Sequence, residues 1–243
     1  MRDFARCHAR IEARDLQISR DGAVLLDVAR LDLDGPGPTL ILGPNGAGKS
    51  LLLRCLHGLI VPDAGRVLLD GAPLSAGHRA RQAMVFQKPV LLRRSVLANL
   101  TYVLRRRGLG WRARRDRAAE LLAEGGLAAK ARQSAASLSG GEAQRLAILR
   151  ALATEPEILF LDEPTSALDP AATLAIEALI LAAARQGTQI VMVTHDIGQA
   201  RRMGADIVLM QGGGVAEHGP AERFFTDPES AAARRYLAGA LVI

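Results

Sequence analysis

Lysine is almost missing from these 243 residues: Lys49, Lys88 and Lys130 are the only three, so the formal net charge of +6 rests on arginine. A compositional bias towards arginine and alanine runs through the whole chain and accounts for much of that charge. Cysteine is scarce too. Cys7 and Cys55 stand far apart and outside any C-x-x-C pair, which leaves neither a disulfide framework nor a zinc site; Cys55 reads as a small core residue. Aromatic residues make up 3%, few for the stacking platforms of nucleic-acid binders. No apolar run approaches the roughly 18 residues of a membrane span. The most apolar helical stretch, residues 174–184, carries Glu177 and reads as a core helix. The opening residues, MRDFARCHARIEARD, have no apolar centre of the secretory kind and predict a protein that stays in the cytosol. The length suits one compact α/β unit, with or without a small appended subdomain.

What is there begins with residues 40–52, LILGPNGAGKSLL. An apolar strand runs through Gly43, Pro44, Asn45, Gly46, Ala47, Gly48, Lys49 and Ser50 into a helical start, the order and spacing of a nucleotide phosphate loop. Small residues let successive N–H groups turn towards one anion, and the helix adds the positive end of its dipole. Lys49 reaches the outer phosphates and Ser50 offers magnesium a hard oxygen. A second signal is the apolar strand of residues 158–161, ending in Asp162, Glu163 and Pro164. At the end of a buried parallel strand Asp162 can hold magnesium, and Glu163 can orient or deprotonate a water. The third is Leu138-Ser139-Gly140-Gly141-Glu142, a hydroxyl and glycines at a helix start, which serves equally as a helix cap or an anion site.

Around these motifs, residues 11–18 and 24–33 flank the turn signal Arg20-Asp21-Gly22 and predict an opening hairpin. Helices are expected near residues 49–59, 96–106, 112–124 and 141–154. Strands are expected at 66–70 and 83–86. From residue 157 strand and helix alternate, which implies parallel strands covered by helices. His57 reads as a packing or surface histidine. Seven arginines between Arg105 and Arg117 crowd around Trp111. They read first as a solvated face, then as a contact for an anionic membrane surface or partner, and last as a nucleic-acid site.

A phosphate loop, Gln87 after a strand, LSGGE and LFLDEP, in that order, resemble the ATP-binding cassette family over nearly the whole chain. The resemblance implies an α/β P-loop NTPase core with a mixed, largely parallel sheet, an N-terminal antiparallel β part and an inserted α-helical subdomain. Residues 1–88 and 137–243 would form the core, and about 89–136 the insertion. It implies an ATPase using ATP and Mg2+, the metal being held by Ser50, Gln87 and Asp162. Gln87 would sense the metal and the water; Ser139, Gly140 and Gly141 would contact the γ-phosphate bound by the opposite subunit. Asp169, ending Ser166-Ala167-Leu168-Asp169, would couple two sites across a homodimer, and His195 would contact the γ-phosphate. Arg20 stands where the family usually has an aromatic residue against the base; a guanidinium plane can stack too. Glu142 stands where the family often has glutamine.

The same resemblance implies a transporter subunit at the cytoplasmic face of a bacterial inner membrane, with separate permease subunits and, indirectly, an extracytoplasmic solute-binding protein. Residues 84–96 and the tail from 224 to 239 are similar to the oxyanion importer group, tungstate-type first and phosphate-type next; molybdate or another small solute is the alternative. Leu91, Leu92 and Arg94 are expected to meet the permease. A soluble cassette acting on nucleic acid or ribosomes fits less well, since the chain has neither a long coiled-coil interruption nor a second cassette. Intact Glu163 and His195 argue against a scaffold without hydrolysis.

Overall fold

The computed structural model describes residues 9–35 and 37–239, so Cys7 lies outside the described residues. The alternating opening gives an antiparallel hairpin, β1 (Ile11–Arg20) and β2 (Ala23–Leu33), whose turn residues Asp21 and Gly22 both take positive φ, 52° and 78°. Two left-handed residues are what a two-residue hairpin turn requires. All four residues of β3 (Thr39–Leu42), three of them apolar, are buried, as a central parallel strand must be. After α1 (Lys49–His57) come β4 (Ala64–Leu69), β5 (Ala72–Pro73), α2 (Ala76–Ala80) and β6 (Gln82–Val85). Sequence pattern leaves β5 and α2 unread, because two and five residues are too short to show a period. Three helices follow, α3 (Val96–Arg106), α4 (Trp111–Glu124) and α5 (Gly140–Leu152). The alternating half then gives β7 (Ile158–Asp162), α6 (Pro170–Arg185), β8 (Gln189–Val193), α7 (Ile197–Met203) and β9 (Asp206–Gln211). It ends with β10 (Gly214–Pro220), α8 (Ala221–Thr226) and α9 (Ala231–Leu237).

Among the described residues the strands form two sheets. One is antiparallel in the order β2-β1-β4-β5; the other runs β10-β9-β3-β8-β7-β6, parallel except for β10 at its edge. Leu16 and Leu26 of the first sheet share an apolar cluster with Leu52 of α1 and Phe160 and Val191 of the second. Another cluster, with Leu161, Ile176, Ile180, Met192 and Phe224, joins the second sheet to α6, α7 and the tail helices. A third binds α3 and α4 to α5 through Leu100, Leu104, Leu121 and Leu149. Helix α5 belongs to two of them: Ala147 and Ile148 pack with the sheet, Leu146 and Leu149 with the helices.

The expected core helix is only half buried. Helix α6 buries a stripe through Ile176, Ile180, Ala183 and Ala184, while Leu174 stands 56% exposed. Glu177 lies inside that stripe because Arg202 and Gln199 both donate to its carboxylate. Cys55 is buried as expected, and His57 packs edge-on against Phe160. No helix among the described residues is long and apolar enough to cross a membrane.

Candidate active site

Strands β3, β8, β7 and β6 lie side by side and parallel, so the loops after them converge at one edge of the sheet. After β3, Gly43 turns the chain at φ 144°, where a Cβ would sit 2.3 Å from the Met210 carbonyl oxygen. Only glycine fits there. Gly48, at φ 90°, caps α1 without any side-chain bond. The first N–H groups of the helix are therefore left for an anion, with the dipole behind them. Pro44, Asn45, Gly46 and Ala47 complete the loop, Asn45 and Gly46 exposed and Ala47 buried. Buried Lys49 arches back over it, and its Nζ donates to the carbonyl oxygens of Gly43 and Pro44 at 2.8 Å each. Burial lowers the Lys49 pKa, while the charges of Glu163 and Asp162 act the other way.

Across from Lys49, Asp162 ends β7. Its carboxylate accepts a hydrogen bond from Ser50 Oγ at 2.6 Å, and Arg54 lies 3.4 Å from its other oxygen. Two hard oxygens meeting this closely fit magnesium, which takes few protein ligands when phosphates and water supply the rest. No group of three or more His, Cys, Asp or Glu residues that could hold a metal occurs among the described residues, so this is no all-protein cage. Magnesium bound by Ser50 and Asp162 would neutralise charge on the transferring phosphate.

Glu163 follows in the left-handed region, φ 45°, before Pro164. A non-glycine residue there is strained, and such strain collects at functional sites. The turn carries the Glu163 carboxylate to the loops after β8 and β6, where its Oε2 lies 3.2 Å from His195 Nδ1 and accepts from Gln87 Nε2 at 3.2 Å. Gln87 Nε2 also donates to Ser166 Oγ. Gln87 thus lies beside the Glu163 carboxylate, and no hydrogen bond among the described residues joins it to Ser50 or Asp162.

The remaining sequence candidates stand apart. Ser139 caps α5 in a box with Glu142: Ser139 Oγ accepts from Glu142 N at 3.4 Å, and Glu142 Oε2 accepts from Ser139 N at 3.0 Å. A hydrogen bond from Lys130, then one from the Ser139 backbone, lowers the Glu142 pKa. Gly141 sits so close to Ala172 that a Cβ would come within 2.8 Å of it. Asp169 caps α6, accepting from Ala172 N at 2.8 Å. Among the described residues no hydrogen bond or ion pair links Ser139, Gly140, Gly141 or Asp169 to the phosphate loop. Arg20 is exposed at the end of β1. Beyond the turn, the Leu25 carbonyl oxygen lies 3.0 Å from where a Gly48 Cβ would be, which brings exposed Val24 and Leu25 to the edge of the loop.

Three polar residues went unread in the sequence. Gln144 Nε2 donates to the Phe86 carbonyl at 3.2 Å, tying α5 to the segment before Gln87. Gln199 Nε2 donates to Thr165 Oγ1 and to Glu177, joining the loop after Glu163 to the helix after His195. Tyr236, from α9, receives a hydrogen bond from the Gly43 N–H; burial pushes its pKa up against that bond. Their motif signals are weak, since each is defined by a distant partner.

The family model described as ABC transporter matches residues 27–166. The chain belongs to the ABC transporter family. This ABC cassette is 43% identical to the phosphate import ATP-binding protein PstB 2 of Natronomonas pharaonis, over 91% of the chain and 84% of the relative. It is 38% identical to a probable anion import ATP-binding protein of Haloferax volcanii, over 98% and 89%. Among solved structures it is similar to cbiO1 of Clostridium perfringens, part of the cbiONQ transporter complex, with TM-score 0.81 and 29% identity over 89% and 90%. A dimeric ATP-binding cassette in a post-hydrolysis state with ADP and Pi superposes with TM-score 0.77, at 28% identity over 87% and 98%. The chain is an ATPase that uses ATP and magnesium, as its family does.

Proposed function

We propose that this ABC cassette powers an importer for an oxyanion, as a homodimer with separate permease subunits at the cytoplasmic face of the membrane. Its likeness to phosphate and anion import ATPases over nearly the whole chain carries the reading. Tungstate comes first within that class on residues 84–96 and the tail, phosphate next, then molybdate or another small solute. The solute-binding protein would act through the permease.

The geometry supports the chemistry. Charge building on the γ-phosphate as water attacks is met by Lys49 and the free N–H groups of α1, while Glu163 takes the proton of the attacking water. His195 and Gln87 hold Glu163 in place, and His195 is assigned to the same phosphate. Exposed Ser139, Gly140 and Asp169 make no hydrogen bond or ion pair to their own phosphate loop among the described residues, which suits a second copy presenting its loop to them. Arg20 and Val24 are assigned to the base side of the site.

Coupling has a path as well. A cleft of about 360 Å³ lies beside the segment after β6, lined by Phe86, Val90, Leu92 and Tyr102. A permease helix pressed into it would displace Gln87 and, through Gln144, the capped start of α5. Val90 is 72% exposed and offers the apolar contact, whereas Leu91, expected to meet the permease, packs partly buried between two clusters.

Import of methionine is a second reading, since a methionine import ATP-binding protein of Leifsonia xyli is 39% identical over 90% of the chain. Uptake of labelled tungstate, molybdate, phosphate and methionine, in cells with and without this protein, tests both. Selective loss of one oxyanion is expected; selective loss of methionine would replace the oxyanion assignment.

A further inference from the structure

The arginines around Trp111 have no role in the site above. A cleft of about 400 Å³ opens between α3 and α4, and its lining includes Arg94, Arg105, Arg114 and Arg115, with Tyr102 and Trp111 beside them. No carboxylate lines it. Of the neighbouring arginines outside the lining, Arg107 pairs with Glu155 and Arg117 with Glu120 and Glu124, while Arg106 and Arg112 have no ion pair among the described residues. Among the described residues the four in the cleft have no acidic partner within 4.0 Å, and Asp116, on the same helix, does not line the cleft. Arg114 is half-buried in this state, its charge partly withdrawn from water with no counter-charge. Such a cleft favours an anion.

We propose that the α3/α4 cleft binds the phosphate group of an anionic phospholipid. Planar guanidinium groups match phosphate oxygens, and the Ser95 and Thr101 side chains share the lining. A soluble phosphate would meet the same chemistry; the rim favours the lipid. Trp111 is 63% exposed and Tyr102 45%, and amphipathic rings of this kind sit at headgroup level. Arg115 lies over the Trp111 ring, 5.6 Å from its centre, joining the aromatic rim to the basic wall. Tyr102 also lines the cleft assigned above to the permease, so the membrane-facing direction rests on that assignment. Binding to vesicles without permease does not.

Trp111 is the sole tryptophan, so its emission reads this cleft in the full chain. The protein would be titrated with vesicles of one part phosphatidylglycerol to two parts phosphatidylcholine, with pure phosphatidylcholine vesicles, and with inorganic phosphate or glycerol 1-phosphate. Anionic vesicles are expected to shift the emission and to sediment the protein, less so as salt rises. Since each arginine near an anionic surface raises partitioning about fivefold, the pair Arg105→Glu and Arg114→Glu should lower it by roughly 25-fold or more. ATP hydrolysis by that variant should stay at the wild-type rate, which certifies its fold, and Arg105→Lys with Arg114→Lys should keep vesicle binding. Equal binding to both vesicle types, or undiminished binding by the charge-reversed variant, would overturn the proposal. Free phosphate that saturates the emission change and blocks vesicle binding would overturn the lipid assignment in favour of a soluble anion.

Discussion

At the scale of single residues, the site divides by what each side chain must do to the phosphate or the water. On the proposed roles, with Lys49 cradling the phosphate and Glu163 activating the water, Glu163→Gln should keep ATP affinity while hydrolysis falls about a hundredfold or more. Parallel measurements of nucleotide binding and phosphate release check this; hydrolysis at the normal rate would remove Glu163 from its role. Residues dictated by ligand chemistry were legible in the sequence. The phosphate loop needs glycine where Gly43 approaches Met210 and a cation where Lys49 folds back, so composition and spacing announce it. Tyr236, Gln144 and Gln199 were not legible, because their roles arise only when a distant backbone or side chain arrives beside them. Ser50 and Asp162 were each read from the sequence as magnesium candidates, but their direct contact joins positions 112 residues apart and needed the folded sheet.

Elements carry their own chemistry. The β9–β10 edge is pinned by His218 Nε2 and Asp206 Oδ2 at 2.7 Å, with 28% of the His218 side chain exposed. That hydrogen bond, more than the charges of Asp206, Asp34 and Asp32 around it, raises the His218 pKa above its ordinary value against the effect of burial. A raised folded-state pKa means that the extra stability is full below the unfolded value near 6.5 and is lost as pH rises through the folded value. Melting temperatures of wild type and His218→Gln should therefore differ most at the acid end of a series from about pH 6 to 9 and converge at the alkaline end. A constant gap would show that the contact does not depend on the imidazolium. Most strands and helices were visible in advance because apolar alternation and periodic stripes follow from one-sided burial. Helix α6 misled because its alanines and leucines are apolar all round while its packing is not; Leu174 is exposed and Glu177 is buried. Burial on a helix is decided by what stands opposite it.

For the whole molecule, the order of motifs was enough to foresee a phosphate-binding α/β core interrupted by helices, since each motif demands a strand before it or a helix after it. How the interruption joins the core was not foreseeable: α5 reads as one helix but serves two clusters. That junction has a consequence for how the chain folds. Strands β6 and β7 are neighbours in the sheet, yet Arg81 and Glu157, which bond across their starts, are separated by 76 residues. Closing so long a loop is entropically costly, whereas the contacts among α3, α4 and α5 are local and form quickly. The helices should collapse first and bring the two strand starts together, with α5 as the hinge pin of the closure. Pulse-labelled hydrogen exchange during refolding is expected to protect amides of α3 to α5 before those of β6 and β7. Early protection of the strands would place the nucleus in the sheet and make the helices late arrivals.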